Sequence, residues 1–282
     1  MIIEWKIGIF KNFMKAIVSH DIDHLTISAH YLKDLIVPKY FIRSYIEFFI
    51  GKISFTELFL RFTDLFKNQW QHIEELHQFN TQHQVPATFF IAVNNGLGLC
   101  YNLKQAEFWI HKMSQMGCRI GIHGIEFETF EKINQEFLLF QQLSKQSHFG
   151  IRMHYIRKNE HTFTNMAKAG YLFDTSEMSY NPPYKIGNMW MFPFQIMDGY
   201  IIEKPKQWQS KNLKQCCDET KIIIDKAFDA NLPYLGIDFH DRYFSNAHKT
   251  WKNWYIWLIE YLQSQKIEFV DFNQAIKELE NK

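Results

Sequence analysis

Ala16-Ile17-Val18-Ser19-His20-Asp21-Ile22-Asp23-His24 is the stretch on which the reading of this chain turns. An apolar run leads into two carboxylates one residue apart, bracketed by two imidazoles. Such a run reads as a buried strand, residues 14–20, whose end delivers the acids. Side chains at i and i+2 of a strand point the same way, so Asp21 and Asp23 should leave it together. Carboxylates that close repel, and one keeps its proton unless a cation neutralises the pair. A divalent metal shared between one acid and a distant His would remove the conflict. A strand-end turn with solvated acids and a capping Asp fits the same letters, so the rest of the chain must decide.

The 282 residues allow one large or two small domains. A hydrophobic share of 46% is enough for a sizeable core. A formal net charge of +1 offers no electrostatic case for a nucleic-acid partner. The cysteines, Cys100, Cys118 and the adjacent Cys216 and Cys217, make a poor disulfide framework, so a reducing, cytoplasmic location is expected. Glu4 and Lys6 interrupt the first apolar patch, which does not read as a signal peptide. No run approaches the roughly 18 apolar residues of a membrane span.

Residues 25–83 read as a long aromatic helical insert. Helical spacing is plausible in 54–66 and again in 68–80, where Trp70, Ile73, Leu76 and Phe79 recur. The insert fits an amphipathic subdomain packed on the core; it also fits a lid over a site or a peripheral membrane contact. Its polar faces are not especially basic. From Pro86 onward, strands and helices alternate. Strands are expected at 86–93, 118–122, from 150, at 171–173, at 235–239 and at 269–271. Helices are expected at 103–116, 129–146, 161–169, 213–230, 249–265 and 273–280. That order implies an α/β fold with a parallel sheet. Titratable groups collect at strand ends: Asp21 and Asp23, His123, Arg152 with His154, Asp174, and His240. Five strands each delivering a polar group fit a closed barrel better than an open sheet with one crevice. No glycine-rich nucleotide motif follows any strand.

In this order the motifs resemble the polysaccharide deacetylases, the NodB-homology domain of carbohydrate esterase family 4. The D-x-D after the first strand, Ala87-Thr88-Phe89-Phe90, Gly121-Ile122-His123, Arg152-x-His154-Tyr155, Asp174-Thr175-Ser176 and a late His240 carry the likeness. A branch whose first motif is H-D-I-D is most similar, with Gly150 to Arg157 and Pro193 to Asp198 as further matches. The likeness runs from about residue 14 to 275, and the 25–83 insert is its least familiar part. It implies one domain over residues 1–282, built as a distorted seven-stranded β/α barrel with the insert after the first strand. It implies a metal-dependent hydrolase that removes acetyl groups from N-acetylated sugars of a glycan or glycolipid precursor. By position, Asp21 matches the general base and Asp23 a ligand of the divalent metal, with zinc expected. His123 matches another ligand, Arg152 an Arg that orients the base, and Tyr155 a backbone N–H donor to the oxyanion. His240 matches the acid that protonates the leaving amine.

One position departs from the pattern. The family's second metal-binding His falls four residues after His123, where this chain has Phe127. Three protein ligands are usual in a catalytic zinc site, so a third is needed. His154, which replaces the family's Pro, and Glu126 are the candidates, with His20 and His24 behind them. Three function classes stay open: the deacetylase, a carbohydrate-binding relative that has lost its metal, and an amidohydrolase acting on a small non-sugar amide. Trp190, Trp208 and Tyr243 are candidate sugar-stacking residues in the first two.

Overall fold

In the computed structural model, residues 14–31, 35–204 and 207–281 are described. Strand β1 (Lys15–Ile22) lies third from one edge of the main sheet. On one side stand β2 (Thr88–Ile91), β3 (Arg119–Gly124), β4 (Gly150–Met153) and β5 (Phe173–Asp174). That side ends in a hairpin of β6 (Tyr184–Ile186) and β7 (Met189–Met191). The other side holds β11 (Tyr234–Asp238) and then β8 (Ile196–Met197). A separate two-stranded ribbon is made by β9 (Glu203–Lys204) and β10 (Gln207–Gln209). Every ladder of the main sheet is parallel except β6–β7.

The sheet curls into a distorted barrel. Its ends approach through one parallel bridge, Met178 to Phe194, where the Phe194 N–H donates to the Glu177 carbonyl at 2.9 Å. Two expectations need correction. The main sheet has nine strands instead of seven, because the β6–β7 hairpin and the two-residue β8 carry no long apolar run to announce them. Residues 269–271 form only an isolated bridge from Phe269 to Ala16, since the flank of β1 above that point is already taken by β2.

Strand alternation sorts the side chains into two layers. Outward residues such as Ala16, Val18, Ile22, Phe89, Ile122, Ile151 and Leu235 join the main apolar core beneath the surrounding helices. Those helices are α4 (Leu103–Gln115), α5 (Phe130–Ser144), α6 (Thr162–Ala169), the short α7 (Asp198–Ile202), α8 (Leu213–Asp229) and α9 (Lys249–Ser264). Inward residues fill the barrel from the bottom up. Ile17, Phe90 and Phe173 pack with Phe272, Ala275 and Ile276 of α10 (Phe272–Glu280), which plugs the lower end. Full burial of a ring such as Phe90 contributes about 1.5–3 kcal/mol. Gly121 makes room for that ring, because a Cβ there would sit 2.5 Å from a Phe90 ring carbon. With apolar rings below, the inward polar side chains are confined to the C-terminal mouth.

The insert forms α1 (Ile36–Phe49), α2 (Phe55–Lys67) and α3 (Ile73–Gln82). Ile73 and Leu76 of α3 join the main core, while Trp70 precedes the helix and packs with Tyr40, Ile27 and Val37. The inner face of the α1–α2 pair is ionic. Buried Arg61 meets Glu47 at 2.6 Å and donates to the Ala247 carbonyl at 2.9 Å, and Arg43 meets Glu47 at 2.9 Å. These bonds fasten the insert to the chain just ahead of α9. Among the described residues no helix is long and apolar enough to cross a membrane.

Candidate active site

Inward alternation on β1 runs Ile17, Ser19, Asp21, and Asp23 follows just past the strand. The registers β2–β3 and β3–β4 then bring His123, Arg152 and His154 to the same mouth. β11 adds inward Asp238, with His240 two residues on, and the end of β8 adds Asp198. Asp21, Asp23, His123, His154, Asp198 and His240 line a cavity of about 610 Å³ that also reaches Tyr155, Arg242, Tyr243 and Trp251.

Asp23, His123 and His154 form a tight triad. Asp23 Oδ1 lies 3.2 Å from His123 Nε2 and 3.2 Å from His154 Nδ1, and the two nitrogens are 3.0 Å apart. The opposite ring nitrogens are committed: His123 Nδ1 donates to the Arg152 carbonyl at 3.1 Å, and His154 Nε2 to the Leu97 carbonyl at 3.1 Å. Each donation leaves the lone pair on the nitrogen that faces the triad. Burial pushes the His123 imidazole down to about 4, so it is neutral at pH 7. Burial opposes ionisation of Asp23, but the close His123 and His154 rings and the charge of His240 outweigh it and hold the acid well below the usual carboxylate range. Two imidazole lone pairs and an ionised carboxylate converging on one point form a set of acceptors without a donor. Ligands at about 2.0–2.2 Å from a tetrahedral zinc stand roughly 3.3–3.6 Å apart, so the triad fits such an ion with little adjustment. These three residues fit a metal as they stand.

A second cluster lies deeper. Arg152 places Nε 3.4 Å from Asp21 and Nη1 3.4 Å from Asp238, and donates from Nη2 to Ser19 Oγ at 2.5 Å. Its guanidinium also sits over the Phe194 ring, 4.7 Å from the centroid. Burial and the charge of Asp238 push the Asp21 carboxyl well up, against the pull of Arg152, and burial raises Asp238 too. A single Arg between two buried acids leaves one proton to be held by the pair. His240 Nδ1 donates to Asp198 at 2.8 Å, while its Nε2 faces Asp23 at 3.6 Å. Burial works against the imidazolium, yet Asp198, Asp23 and Asp238 outweigh it and raise His240 well above its ordinary value. His240 is therefore a cation at neutral pH, with one N–H left to give.

Tyr155 lines the cavity, and its backbone is left-handed at φ 56, followed by Ile156 at φ 53. Two such residues in succession, one β-branched, are strained, and strain of this kind gathers at functional sites.

No family model and no curated protein matches the chain. Solved structures do. A candidate polysaccharide deacetylase from Mycobacterium smegmatis aligns over 91% of this chain and 93% of its own, with a TM-score of 0.55 and 12% identity. A carbohydrate esterase family 4 pseudoenzyme, mutated to restored activity, aligns over 94% and 68% with a TM-score of 0.51 and 9% identity. The Puue allantoinase aligns over 93% and 87% with a TM-score of 0.58 and 12% identity.

The fold is that of the polysaccharide deacetylases. At these identities the likeness concerns the deacetylase fold alone, and the chemistry has to come from this chain's own residues. Asp21, Asp23, His123, Arg152, His154, Tyr155 and His240 all meet at the mouth of the deacetylase-like barrel. Other expectations are corrected. Glu126 is turned away: its N–H donates to buried Glu136, and its carboxylate faces Lys132 at 4.0 Å. Phe127 stacks under Arg157, 5.1 Å from the guanidinium carbon. His20 is a core residue, donating from Nδ1 to the Phe239 carbonyl and accepting from Asn80, and burial pushes it down to about 3. His24 lines the cavity but pairs with His30 at 3.0 Å. Trp190 lies at the outer edge against Lys185 and Glu280, away from the mouth. The side chain of Trp208 lies outside the described residues. Asp174 does not line the cavity; its bonds to Ser176 and that of Thr175 to Arg152 brace the floor of the site. Sequence reasoning missed Asp238 and Asp198 as site members. The signal was present in both: an acid in an inward position of a strand, and an acid at a strand end.

Proposed function

We propose that this chain is a metal-dependent amide hydrolase that removes an acetyl group from an N-acetylated sugar of a glycan or glycolipid precursor. The triad of Asp23, His123 and His154 carries the proposal, because its three ligand atoms, 3.0–3.2 Å apart, accept and do not donate. A borderline-soft N,N,O set of this kind suits zinc. On this reading His154 takes the place of the His that Phe127 displaces, which speaks against a non-catalytic carbohydrate binder. The apolar core runs from Met14 to Ile267 and takes in the insert's Ile73 and Leu76, which supports one domain over residues 1–282. A cytoplasmic location is proposed from the cysteine pattern, in which Cys216 and Cys217 are adjacent and make a poor disulfide framework.

A divalent ion on the triad would polarise the amide carbonyl, acidify the attacking water and favour the ionised form of Asp21. Asp21, held by Arg152, takes a proton from that water as its oxygen bonds to the carbonyl carbon. The backbone N–H of Tyr155 is assigned to the developing oxyanion. The C–N bond then breaks, His240 gives its Nε2 proton to the nitrogen, and acetate and a free amine leave. Asp198 keeps His240 protonated and correctly turned.

The test is elemental analysis of the purified protein and its Asp23→Ala variant, together with acetate release from N-acetylglucosamine oligomers and from small non-sugar amides. About one equivalent of zinc, lost with Asp23, and acetate from the sugars alone are expected. Metal binding that survives Asp23→Ala would remove the ligand assignment. Turnover of the non-sugar amides alone would move the protein to the third class.

The outer face of α1 and α2 supports a lipid-linked substrate. Phe49, Phe55, Phe59 and Phe66 are 80%, 69%, 59% and 89% exposed, beside exposed Lys39, Lys52 and Lys67. The pair's acids, Glu47, Glu57 and Asp64, are buried or half-buried. An apolar, aromatic face fringed by lysines suits an anionic bilayer surface. Co-sedimentation with phosphatidylglycerol vesicles, lost in Phe49→Ser/Phe55→Ser, is expected. A concentration-dependent dimer that the same variant abolishes would assign the face to a second copy instead.

A further inference from the structure

On the wall of the cavity, each carboxylate lies against a cation, an imidazole or an N–H, although Asp21 Oδ1, Asp23 Oδ1 and Asp241 Oδ1 accept no hydrogen bond. Asp23 is met by the two imidazoles, Asp21 by Arg152 and Asp198 by His240. Glu203 meets Arg43 at 2.5 Å, and Asp241 accepts the His72 N–H at 3.0 Å. Arg242 lines the same cavity and is the exception: it makes no hydrogen bond and no ion pair with any described residue. Its Nε is buried without a partner. Asp64, whose carboxyl feels the charge of Arg242, forms no ion pair with it.

The guanidinium is nonetheless held. It lies 4.0 Å from the ring centre of Trp70, 5.0 Å from Tyr40 and 5.5 Å from Tyr243. Trp70 and Tyr40 belong to the insert's own apolar cluster, and Tyr243 stacks on Trp251 at 3.8 Å, so the cage is rigid. Aromatic faces compensate a cation only in part. A guanidinium with a desolvated, unpaired N–H lacks an acceptor, and its planar fork matches an oxyanion with two oxygens.

We propose that Arg242 anchors an anion subsite, so that the substrate carries a phosphoryl or carboxylate group which binds beside the hydrolytic triad. The inference rests on the proposed sugar-hydrolase reading for the location of the reacting end. It also gives the insert a role in recognition, since Tyr40 and Trp70 hold the arginine in place.

The experiment is titration calorimetry of the protein as purified with N-acetylglucosamine, its 1-phosphate and N-acetylmuramic acid, at low and high salt. One anionic sugar should bind at least about tenfold more tightly than the neutral one, as expected for a charge-assisted bidentate contact. The sugar that gains identifies the group as phosphoryl or carboxylate. Arg242→Gln should abolish the preference and leave the neutral sugar unchanged, Arg242→Lys should keep part of it, and added salt should weaken only the anionic ligand. Equal affinities for all three sugars, or a preference that survives Arg242→Gln, would overturn the subsite. If the Gln variant misfolds, equal weakening of neutral and anionic sugars by salt in the parent protein would overturn it. Anion preference without acetate release would leave the subsite standing and remove the hydrolase reading; acetate release without anion preference would do the reverse.

Discussion

The triad of Asp23, His123 and His154 consists of acceptors alone, whereas the neighbouring cluster of Asp21 and Asp238 carries its own cation in Arg152. Both lie at the mouth of one barrel, and both concentrate buried polar groups. The difference teaches which part of the site the chain completes by itself. The Arg152 cluster is a structural brace, bound into Ser19, Thr175 and the Phe194 ring. On the proposed reading, it is a divalent ion that closes the triad. Removing a group from the first should therefore cost stability, and from the second, ligand binding.

The largest effect should come from the triad. His154→Ala should reduce zinc affinity by more than the roughly 10–100-fold typical of outer-shell losses, and turnover with it, while urea denaturation of the metal-free protein changes little. Adding Phe127→His to that variant should not restore zinc, because the ring at 127 lies against Arg157. Rescue by Phe127→His would break the assignment of His154.

Next in size is Arg152→Met, which leaves Asp21 and Asp238 buried without their guanidinium and should cost about 3–5 kcal/mol of stability. Its pH dependence has a definite sign. In the variant both acids titrate higher in the folded than in the unfolded chain, so the folded state binds more protons, and stability should fall as pH rises. Urea midpoints at pH 5 and pH 8 would measure this. A loss as large at pH 5 as at pH 8 would separate Arg152 from the two acids.

The smallest effect concerns the link between the clusters. Asp198→Asn removes the first of the charges that hold His240 protonated, so the His240 pKa should fall. The alkaline limb of the pH–rate profile should move to lower pH, with a loss of roughly tenfold or more at pH 8 and less at pH 6. Zinc content should be unchanged. An unshifted limb would mean that His240 is not the acid.

Much of the site was legible in the letters. Alternation along β1 separates Ile17, Ser19 and Asp21 from Ala16, Val18 and Ile22, and this follows from the pleat alone. The same period sets His123 on β3 and Arg152 on β4. Helix ends were equally local: Asn102 and Asn212 cap α4 and α8 through their own side chains, and Gly170 closes α6 at φ 103. Covalent geometry and neighbouring residues determine such features, so the sequence suffices for them.

What required the tertiary structure was every choice of partner. Asp238 reads as one more strand residue until the curl of the sheet sets it across from Arg152. His154 and Glu126 are equal candidates on paper; the turn after β4 carries one to Asp23, while a bond to Glu136 holds the other away. Asp198 becomes the partner of His240 because β8, only two residues long, pairs with β11. That Arg242 makes no hydrogen bond or ion pair with any described residue shows only once its neighbours are placed around it. The amino-acid sequence by itself determined which residue types stand at the strand ends; the closing of the barrel decided which of them meet, because contact between distant strands depends on register and curvature, and neither is encoded within one strand.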